Sequence, residues 1–316
     1  MALYLGVDGG QSSTTALIGD DKGSVLGTGT GGPANHVEAG AGREKLKRAV
    51  GESLGLACDA AGLDARALQF EAACFGMSGG PADKQGILST ILPTKRLIVT
   101  DDALIALAGA TGGEPGIVTI AGTGSIAFGR NAAGVRARAG GWGYLFGDEG
   151  SAYDIARQAL RAALRYEEGW GPATALHHAL IEAGKAADAN DLMHLWYTDA
   201  WPRARIALLA RLVDEAANEG DAAARDIVNY AAQELATLAS SVRRRLFATG
   251  EKTLICYVGG VFQSKLLLAR FRQLIELEEG SRVEAPRYGP AAGALLEAYR
   301  AAGIQPELSN IPEFKA

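Results

Sequence analysis

The sequence predicts an α/β fold built from one unit of strands and helices that occurs twice. A glycine-rich turn follows the first predicted strand at residues 8–13, and a second one follows a buried-type strand at 122–124, about 114 residues further along. After each turn, a returning strand and then helices alternating with strands follow in the same order, which is the pattern of an internal duplication. The length of 316 residues suits two such units.

The first copy alternates β-forming segments with a segment of helical periodicity. Residues 3–7 and 14–18 flank the glycine turn and are rich in β-formers, which predicts a hairpin. Leu46, Val50 and Leu54 recur at helical spacing, which predicts a helix. The elements expected in this copy are, in order, strands at 3–7, 14–18 and 24–28, a helix at 41–61, a strand at 72–77, a helix at 82–91 and a strand at 97–100.

The second copy repeats this order and carries additional helices. A strand, a glycine turn and a returning strand come first, as in the first copy. The elements expected here are strands at 116–121, 125–129 and 134–140, helices at 151–166, 173–183, 203–219 and 222–248, a strand at 253–258, a helix at 262–277, a strand at 282–285 and a last helix at 291–302. The basic run at 243–245, near the end of a helix, is interpreted as solvated and favourable to the helix dipole.

Composition and charge exclude several classes of protein. Apolar residues make up 48% and charged residues 21%, values typical of folded globular chains. The net charge of −5, with scattered basic residues, argues against nucleic acid as a partner. Cys58, Cys74 and Cys256 lie far apart and have no metal-ligand or disulfide spacing. No membrane partner is expected, because neither a signal-peptide pattern nor a long apolar stretch occurs, and a cytoplasmic location is the resulting expectation.

The two glycine turns have the chemistry of phosphate-binding loops. Glycines let backbone N–H groups approach an anion, and hydroxyl side chains add donors. The first turn contains Asp8, Gly9, Gly10, Gln11, Ser12, Ser13 and Thr14, and the second contains Gly122, Thr123, Gly124 and Ser125. Asp8, at a strand end, is a candidate to hold Mg²⁺ through water. A single turn of this kind can equally be a plain hairpin, but the pair favours a polyphosphate held from both sides.

Two other glycine-rich segments fail as phosphate motifs. Residues 259–265 resemble a P-loop but have Ser264 where the second glycine belongs. Residues 27–32 fit the GxGxxG pattern but run into Pro33 rather than into a helix. Neither segment is therefore assigned a phosphate by its pattern.

Several segments, in order along nearly the whole chain, resemble one family. The chain is similar to the actin-like ATPase superfamily of hexokinase, Hsp70 and actin, and within it to the N-acetylglucosamine kinase and BadF/BadG/BcrA/BcrD type. The carrying segments are GVDGGQSST at 6–14, TDDA at 100–103, IAGTGS at 120–125, GGWGYLFGDEGS at 140–151 and YVGGV at 257–261. The string at 140–151 is the most specific of them. Gln11 and Ser12 depart from the third glycine and threonine common among relatives, and Ser12 retains the hydroxyl.

The resemblance implies two RNase H-like domains of the actin and hexokinase type, with a nucleotide-binding cleft between them. The first domain would comprise residues 1–113 and 290–316, with the first phosphate motif and the catalytic Asp. The second would comprise residues 114–289, with a helical insertion and the second phosphate and adenosine motifs. ATP and Mg²⁺ are the implied cofactors.

The resemblance also assigns roles to individual residues. Asp101 is the implied general base, with helix N-capping as the alternative and Asp102 as the weaker candidate. Nucleotide contacts are implied for Asp8, Gly9, Gly10, Gln11, Ser12, Ser13, Thr14, Gly122, Thr123, Gly124, Ser125, Gly259 and Gly260. Sugar contacts are implied for Asn35, Asp101, Gly122, Thr123, Trp142, Gly143 and Asp148. As alternatives, Asn35 is a turn residue, Trp142 is simply packed, and Asp148 with Glu149 caps the following helix.

The expected function is ATP-dependent phosphorylation of an amino sugar, with N-acetylglucosamine and its 6-hydroxyl as the first choice. Glucosamine, N-acetylmuramic acid and glucose are the alternative substrates. An ATPase activator or a sugar-sensing protein is the alternative of another class, and the activator is disfavoured because cluster-binding cysteines are missing from the sequence. The expected partner is a small-molecule amino sugar, and a homodimer is only a family expectation.

Overall fold

The structure is a computed structural model that describes residues 1–10, 12–34, 41–64, 68–79 and 84–314. It divides into two compact units. One comprises Met1–Pro115 together with the C-terminal segment from Ala285, and the other comprises Gly116–Glu284.

Strands and helices follow one another in the order that the sequence predicts, except that the structure adds a helix at Ala189–Trp196 that the sequence analysis does not predict. The strands are β1 (Leu3–Gly9), β2 (Thr14–Asp20), β3 (Val25–Gly31), β4 (Ala72–Met77), β5 (Leu97–Asp101), β6 (Gly116–Ala121), β7 (Ser125–Arg130), β8 (Arg136–Gly140), β9 (Thr253–Val258) and β10 (Ser281–Glu284). The helices are α1 (Ala41–Ala61), α2 (Gln85–Leu88), α3 (Asp102–Thr111), α4 (Ala152–Glu167), α5 (Leu176–Gly184), α6 (Ala189–Trp196), α7 (Arg203–Ala207), α8 (Ala210–Glu219), α9 (Ala222–Leu246), α10 (Lys265–Glu276) and α11 (Pro290–Ala302), with a 3-10 helix at Gly260–Gln263.

The two units contain sheets of identical topology. The strand order is β3-β2-β1-β4-β5 in one and β8-β7-β6-β9-β10 in the other. In each sheet the first three strands form an antiparallel meander, and the last two run parallel to the first strand. The predicted α/β fold with a duplicated unit is therefore confirmed.

In the first unit, helices cover both faces of the sheet. Alternate residues of a strand point to opposite faces, and β1 shows this directly. Leu5 and Val7 belong to the core that α1 completes, while Tyr4 packs with Tyr299 of α11 on the other face. The C-terminal helix is thus part of the core of the first unit.

The glycines of β3 allow close packing of α1. A Cβ atom at Gly27, Gly29 or Gly31 would collide with the backbone carbonyl of Ala57, Ser53 or Ala49, respectively. These glycines fall in the segment that fits the GxGxxG pattern, so the glycines of that segment serve the close packing of α1 against β3.

In the second unit, α9 and the inserted helices build one large core.

Arg243 contradicts the interpretation that the basic run at 243–245 is solvated. Arg243, on α9, is 2% exposed. Its guanidinium donates to Glu278 Oε1 at 2.7 Å and to the carbonyls of Glu251 and Glu279 at 3.1 and 2.9 Å. The interpretation of a solvated run is wrong for this residue, because Arg243 ties the end of α9 to the chain around β9 and β10.

The helix predicted over 203–219 is divided into α7 and α8, with Leu208 and Leu209 between them. Within the described residues, no helix has both the length and the hydropathy needed to cross a lipid bilayer.

Candidate active site

The first glycine turn lies between β1 and β2. Gly10 N–H donates to the Ser13 carbonyl at 2.9 Å, which closes the turn. Ser12 and Ser13 are exposed and so are accessible to a ligand. The Thr14 hydroxyl is buried and donates to the Gly32 carbonyl at 2.8 Å, so a structural bond already occupies it. Gln11 and Asn35 lie outside the described residues.

Asp8 occupies an unusual electrostatic position near the end of β1. Burial disfavours its charged form, and the nearby Asp102 carboxylate adds repulsion. Together they raise the pKa of Asp8 to about 7. A carboxyl group with this pKa is only partly ionised at neutral pH unless a cation stabilises its charge.

The carboxylates of Asp8 and Asp102 are suitable for holding a Mg²⁺ ion. The ion prefers oxygen donors, retains several waters, and is usually held by one or two carboxylates together with substrate phosphates. Asp8 and Asp102 supply such carboxylates beside the first turn, and a divalent charge would relieve their mutual repulsion. Among the described residues, no group of three or more His, Cys, Asp or Glu side chains could hold a metal ion.

Asp101 and Asp102 point to different partners. Asp101 is the N-cap of α3, and its Oδ1 accepts from the Leu104 N–H at 2.8 Å. The capping alternative is therefore observed, and it leaves Oδ2 available for a second role. Asp102 begins α3, and its Oδ2 accepts from the Ser78 hydroxyl at 2.7 Å.

The second glycine turn, between β6 and β7, contacts the loop that carries Asp148. Asp148 Oδ1 accepts from the Ser125 N–H at 3.2 Å, and the Ser125 hydroxyl donates to the Glu149 carbonyl at 2.7 Å. A Cβ atom at Gly124 would lie 2.9 Å from both Asp148 carboxylate oxygens. The absence of a side chain at Gly124 thus leaves space for the carboxylate.

The Asp148 carboxylate is buried and only half satisfied. Its Oδ2 has no hydrogen-bond partner among the described residues, and the residue has a left-handed φ of 63°. The alternative that Asp148 caps the next helix is wrong, because Ser151 is the N-cap of α4 and accepts from the Asp154 N–H. Oδ2 forms an ion pair with the Arg203 guanidinium at 3.6 Å, and a buried carboxylate oxygen that lacks a hydrogen bond indicates a place for a ligand donor.

Trp142 and Gly143 lie in the loop between β8 and α4. Trp142 is 64% exposed, so it is not packed into the core. The Arg138 guanidinium stacks over its ring at 4.6 Å from the centroid. Gly143 has a φ of 80°, a conformation that favours glycine.

A cavity of about 460 Å³ opens within the second unit. This size falls in the range of small-molecule sites. Gly122 and Thr123 of the second turn line it on one side and Gly260 on another. Gly259, with a φ of 112°, lies against the Ala121 backbone, where a Cβ atom would collide. The remaining walls are contributed mainly by α8, with further residues from α4, α7, α9, the 3-10 helix and the start of α10.

Sequence reasoning missed the polar cavity residues, which are Arg211, Asp214, Glu215, Gln263 and Ser264. The Ser264 hydroxyl caps α10 and also donates to Asp214 of α8. Ser264 stands where a P-loop glycine would be, and the failed motif could have drawn attention to it. Nothing local marks Asp214, which is 50 residues away in the sequence.

The repeated sheet, with a glycine turn after the first strand of each copy, defines an α/β ATPase of the actin-like class. The chain belongs to the BadF/BadG/BcrA/BcrD ATPase family, whose model matches residues 5–298. The family predicted from the motifs is therefore confirmed.

Individual relatives match over most of their length. The N-acetylmuramic acid/N-acetylglucosamine kinase of Clostridium acetobutylicum is 33% identical over 284 residues, covering 88% of this chain and 91% of that protein. The N-acetyl-D-glucosamine kinase of Dictyostelium discoideum is 30% identical over 312 residues, covering 93% and 97%. A crystal structure from Chromobacterium violaceum, provisionally assigned as an N-acetylglucosamine kinase, superimposes with a TM-score of 0.74 at 28% identity, covering 94% and 98%.

Proposed function

We propose that this protein is an ATP-dependent amino-sugar kinase that phosphorylates N-acetylglucosamine at its 6-hydroxyl. The observation that carries the proposal is the double role of the β6–β7 turn. Gly122 and Thr123 line the cavity, and Ser125 holds the buried carboxylate of Asp148. One short turn therefore adjoins both a candidate nucleotide site and a candidate sugar ligand. The sugar-kinase names of the relatives agree with this pairing.

The cavity supports binding of the adenosine portion of ATP. Its walls include small and apolar side chains of Ala204, Ala207 and Val228, which suit a flat base. Asp214 and Ser264 add polar groups for ribose hydroxyls. The Gly122 N–H donates to the Gly124 carbonyl at 2.9 Å, so the N–H groups of Thr123 and Gly124 are the ones proposed to face phosphate oxygens. Gly259 and Gly260 complete the adenosine side.

The sugar is assigned to Asp148, Trp142 and Gly143, together with the turn residues Gly122 and Thr123. Asp148 Oδ2 has no hydrogen-bond donor among the described residues, so it can accept from a sugar hydroxyl, and its burial makes such a bond specific. Trp142 offers an exposed aromatic face of the kind that packs against the C–H groups of a sugar ring. Asn35 and Asp101 are further proposed contacts.

Phosphoryl transfer needs a base for the attacking hydroxyl, and we assign this role to Asp101. Its Oδ2 accepts the proton of the 6-hydroxyl as that oxygen bonds to the γ-phosphorus, and the bond from phosphorus to the bridging oxygen breaks to release ADP. The hydrogen bond from Leu104 N–H to Oδ1 fixes the orientation of the carboxyl group. Asp8 would hold Mg²⁺ through water, and the ion would neutralise charge on the phosphates.

The first unit is thus proposed to carry the base and the first phosphate turn, with Gly9, Gly10, Ser12 and Ser13 facing the phosphates. The second unit carries the second turn, the adenosine cavity and Asp148.

The test is ADP release from Mg-ATP with a panel of sugars. N-acetylglucosamine, N-acetylmuramic acid, glucosamine, N-acetylmannosamine and glucose are compared, and the position of phosphate in the product is read by NMR. We expect turnover to be greatest with N-acetylglucosamine and to yield the 6-phosphate. Preference for N-acetylmuramic acid would revise the substrate within the class. ADP release that does not depend on any sugar would replace the kinase with an ATPase activator or switch.

A further inference from the structure

The guanidinium of Arg203 lies beside the free oxygen of Asp148. Arg203 is the first residue of α7, and its Nη1 is 3.6 Å from Asp148 Oδ2. The Arg203 side chain is 34% exposed, whereas that of Asp148 is 5% exposed. The pair therefore joins a buried acceptor to a cation that reaches the surface.

The spacing of the pair leaves both groups able to bind a ligand. At 3.6 Å the contact is an ion pair but too long for a direct hydrogen bond. Asp148 Oδ2 has no other hydrogen-bond partner among the described residues. A hydroxyl group can donate its hydrogen to Oδ2 and accept from Nη1 with its oxygen, because a hydroxyl is both donor and acceptor.

Aromatic contacts hold Arg203 in this position. Its guanidinium carbon lies 5.5 Å from the centroid of the Tyr144 ring, a cation–π contact. Tyr144 in turn packs edge-on against Tyr153 of α4 at 5.2 Å. The orientation of Arg203 is thus supported from the loop that also carries Trp142 and from α4.

The helix that begins at Arg203 also lines the candidate nucleotide cavity. Ala204 and Ala207 of α7 are cavity residues. Arg203 thus lies at the start of a five-residue helix that contributes to this cavity.

We propose that Arg203 is a further sugar-binding residue that, with Asp148, forms a donor–acceptor pair for a single sugar hydroxyl. This inference rests on the proposed function, because it assigns the ligand of the pair as the acceptor sugar. The Arg203–Asp148 pair distinguishes sugars whose hydroxyl group bonds to both side chains from analogues that lack this hydroxyl group.

The test compares three variants in steady-state kinetics and in direct sugar titration. Arg203→Gln removes the charge and the paired donors, and Arg203→Lys retains the charge with a different geometry. Arg205→Gln is the matched control, because Arg205 is an exposed arginine of the same helix that stacks on Trp201 and donates to the Ala200 carbonyl. For Arg203→Gln we expect the KM for sugar to rise about tenfold or more, with the KM for ATP changed by less than about twofold.

Deoxy analogues of the sugar separate a direct contact from a structural role. One deoxy analogue should bind the wild type weakly, yet lose little further affinity in Arg203→Gln, because the variant and the analogue remove the same bond. Arg203→Lys should recover part of the affinity for the parent sugar. An unchanged KM for sugar in Arg203→Gln, or additive losses with every deoxy analogue, would overturn the inference while leaving the kinase assignment in place. No sugar binding or turnover by the wild-type protein would overturn both.

Discussion

Asp148 and Ser125 are joined by a hydrogen bond between a carboxylate and a backbone amide 23 residues away in the sequence. The bond holds one face of the Asp148 carboxylate against the β6–β7 turn and leaves the other oxygen without a hydrogen-bond partner among the described residues. A ligand at the turn and a ligand at Asp148 would therefore share one rigid support.

Asp148→Asn should impair sugar binding and leave the turn intact. Asparagine tolerates the left-handed backbone, and its amide oxygen can still accept from the Ser125 N–H. The loss of charge at Oδ2 should raise the KM for sugar about tenfold to a hundredfold, with little change in thermal stability or in ADP affinity. Glu149→Gln, which removes a neighbouring charge, is the control. Equal effects of the two variants on the KM would contradict the assignment of Asp148.

Asp101→Asn should abolish turnover without unfolding α3. Asparagine is as good an N-cap as aspartate, so the bond from Leu104 N–H is retained. Loss of a general base lowers kcat by about 10² to 10⁴, and thermal unfolding and ADP binding should be close to wild type. Asp102→Asn tests the weaker candidate for the same role. If Asp102→Asn removes turnover and Asp101→Asn retains most of it, the base is Asp102.

The raised pKa of Asp8 predicts a pH-dependent affinity for Mg²⁺. Burial and the Asp102 charge bring this pKa to about 7, so a proton competes with the cation below neutral pH. The apparent Kd for Mg²⁺, measured with ADP present, should rise as the pH falls from 8 to 6. Asp8→Asn should remove most of this dependence together with most of the activity. A Mg²⁺ affinity that is constant across this range would contradict the assignment.

The raised pKa of Asp8 also makes the stability of the fold depend on pH. The pKa of Asp8 is higher in the folded protein than in the unfolded chain, so folding binds a proton and the group's contribution to stability declines as the pH rises from about 4 to about 7. At pH 8 without Mg²⁺, Asp8→Asn should therefore raise the free energy of unfolding, by at most about 4 kcal/mol. Urea unfolding at pH 5 and pH 8 provides the comparison, and the stabilisation should be smaller at pH 5.

Most of the order of elements was predictable because strands, turns and helices have local signals, although the short helix α6 was missed. The two glycine turns and the β-rich segments around them indicated the duplication, and both sheets have the topology that such a duplication requires. The glycines of β3 were visible as a pattern, but their role was not, because the collision they avoid is with a helix that begins further along the chain.

Features of the site that depend on distant partners were not predictable. Arg203 lies 55 residues from Asp148 in the sequence, and Ser264 lies 50 residues from Asp214. No periodicity or motif relates the members of such pairs, since they meet only after the inserted helices have packed. Arg243 is the strongest case, because its local context on α9 suggested solvent and its partners belong to a distant part of the same unit.

Arg243→Gln should destabilise the protein without changing its ligand affinities. The side chain is buried and satisfies Glu278 together with two carbonyls. Glu278 is partly exposed, so the main cost is that of leaving hydrogen-bond partners of a buried side chain unsatisfied, about 1 to 3 kcal/mol. Arg244→Gln removes a charge from the neighbouring position, which is exposed, and should change stability by less than about 0.5 kcal/mol. Similar unfolding midpoints for the two variants would contradict the structural role of Arg243.

Gly29→Ala and Gly51→Ala should change stability in opposite directions. At Gly29 of β3 a Cβ atom would collide with the Ser53 carbonyl on α1, so the helix must move away, at a cost of about 1 to 3 kcal/mol or more. At Gly51, within α1 itself, a Cβ atom meets nothing within 4 Å, and alanine in place of a helical glycine should stabilise by about 0.5 to 1 kcal/mol. Urea unfolding measures both changes. The folded Gly29→Ala variant should bind ADP with the affinity of the wild type. A selective loss of ADP affinity in Gly29→Ala, at unchanged stability, would instead indicate that the GxGxxG segment binds phosphate.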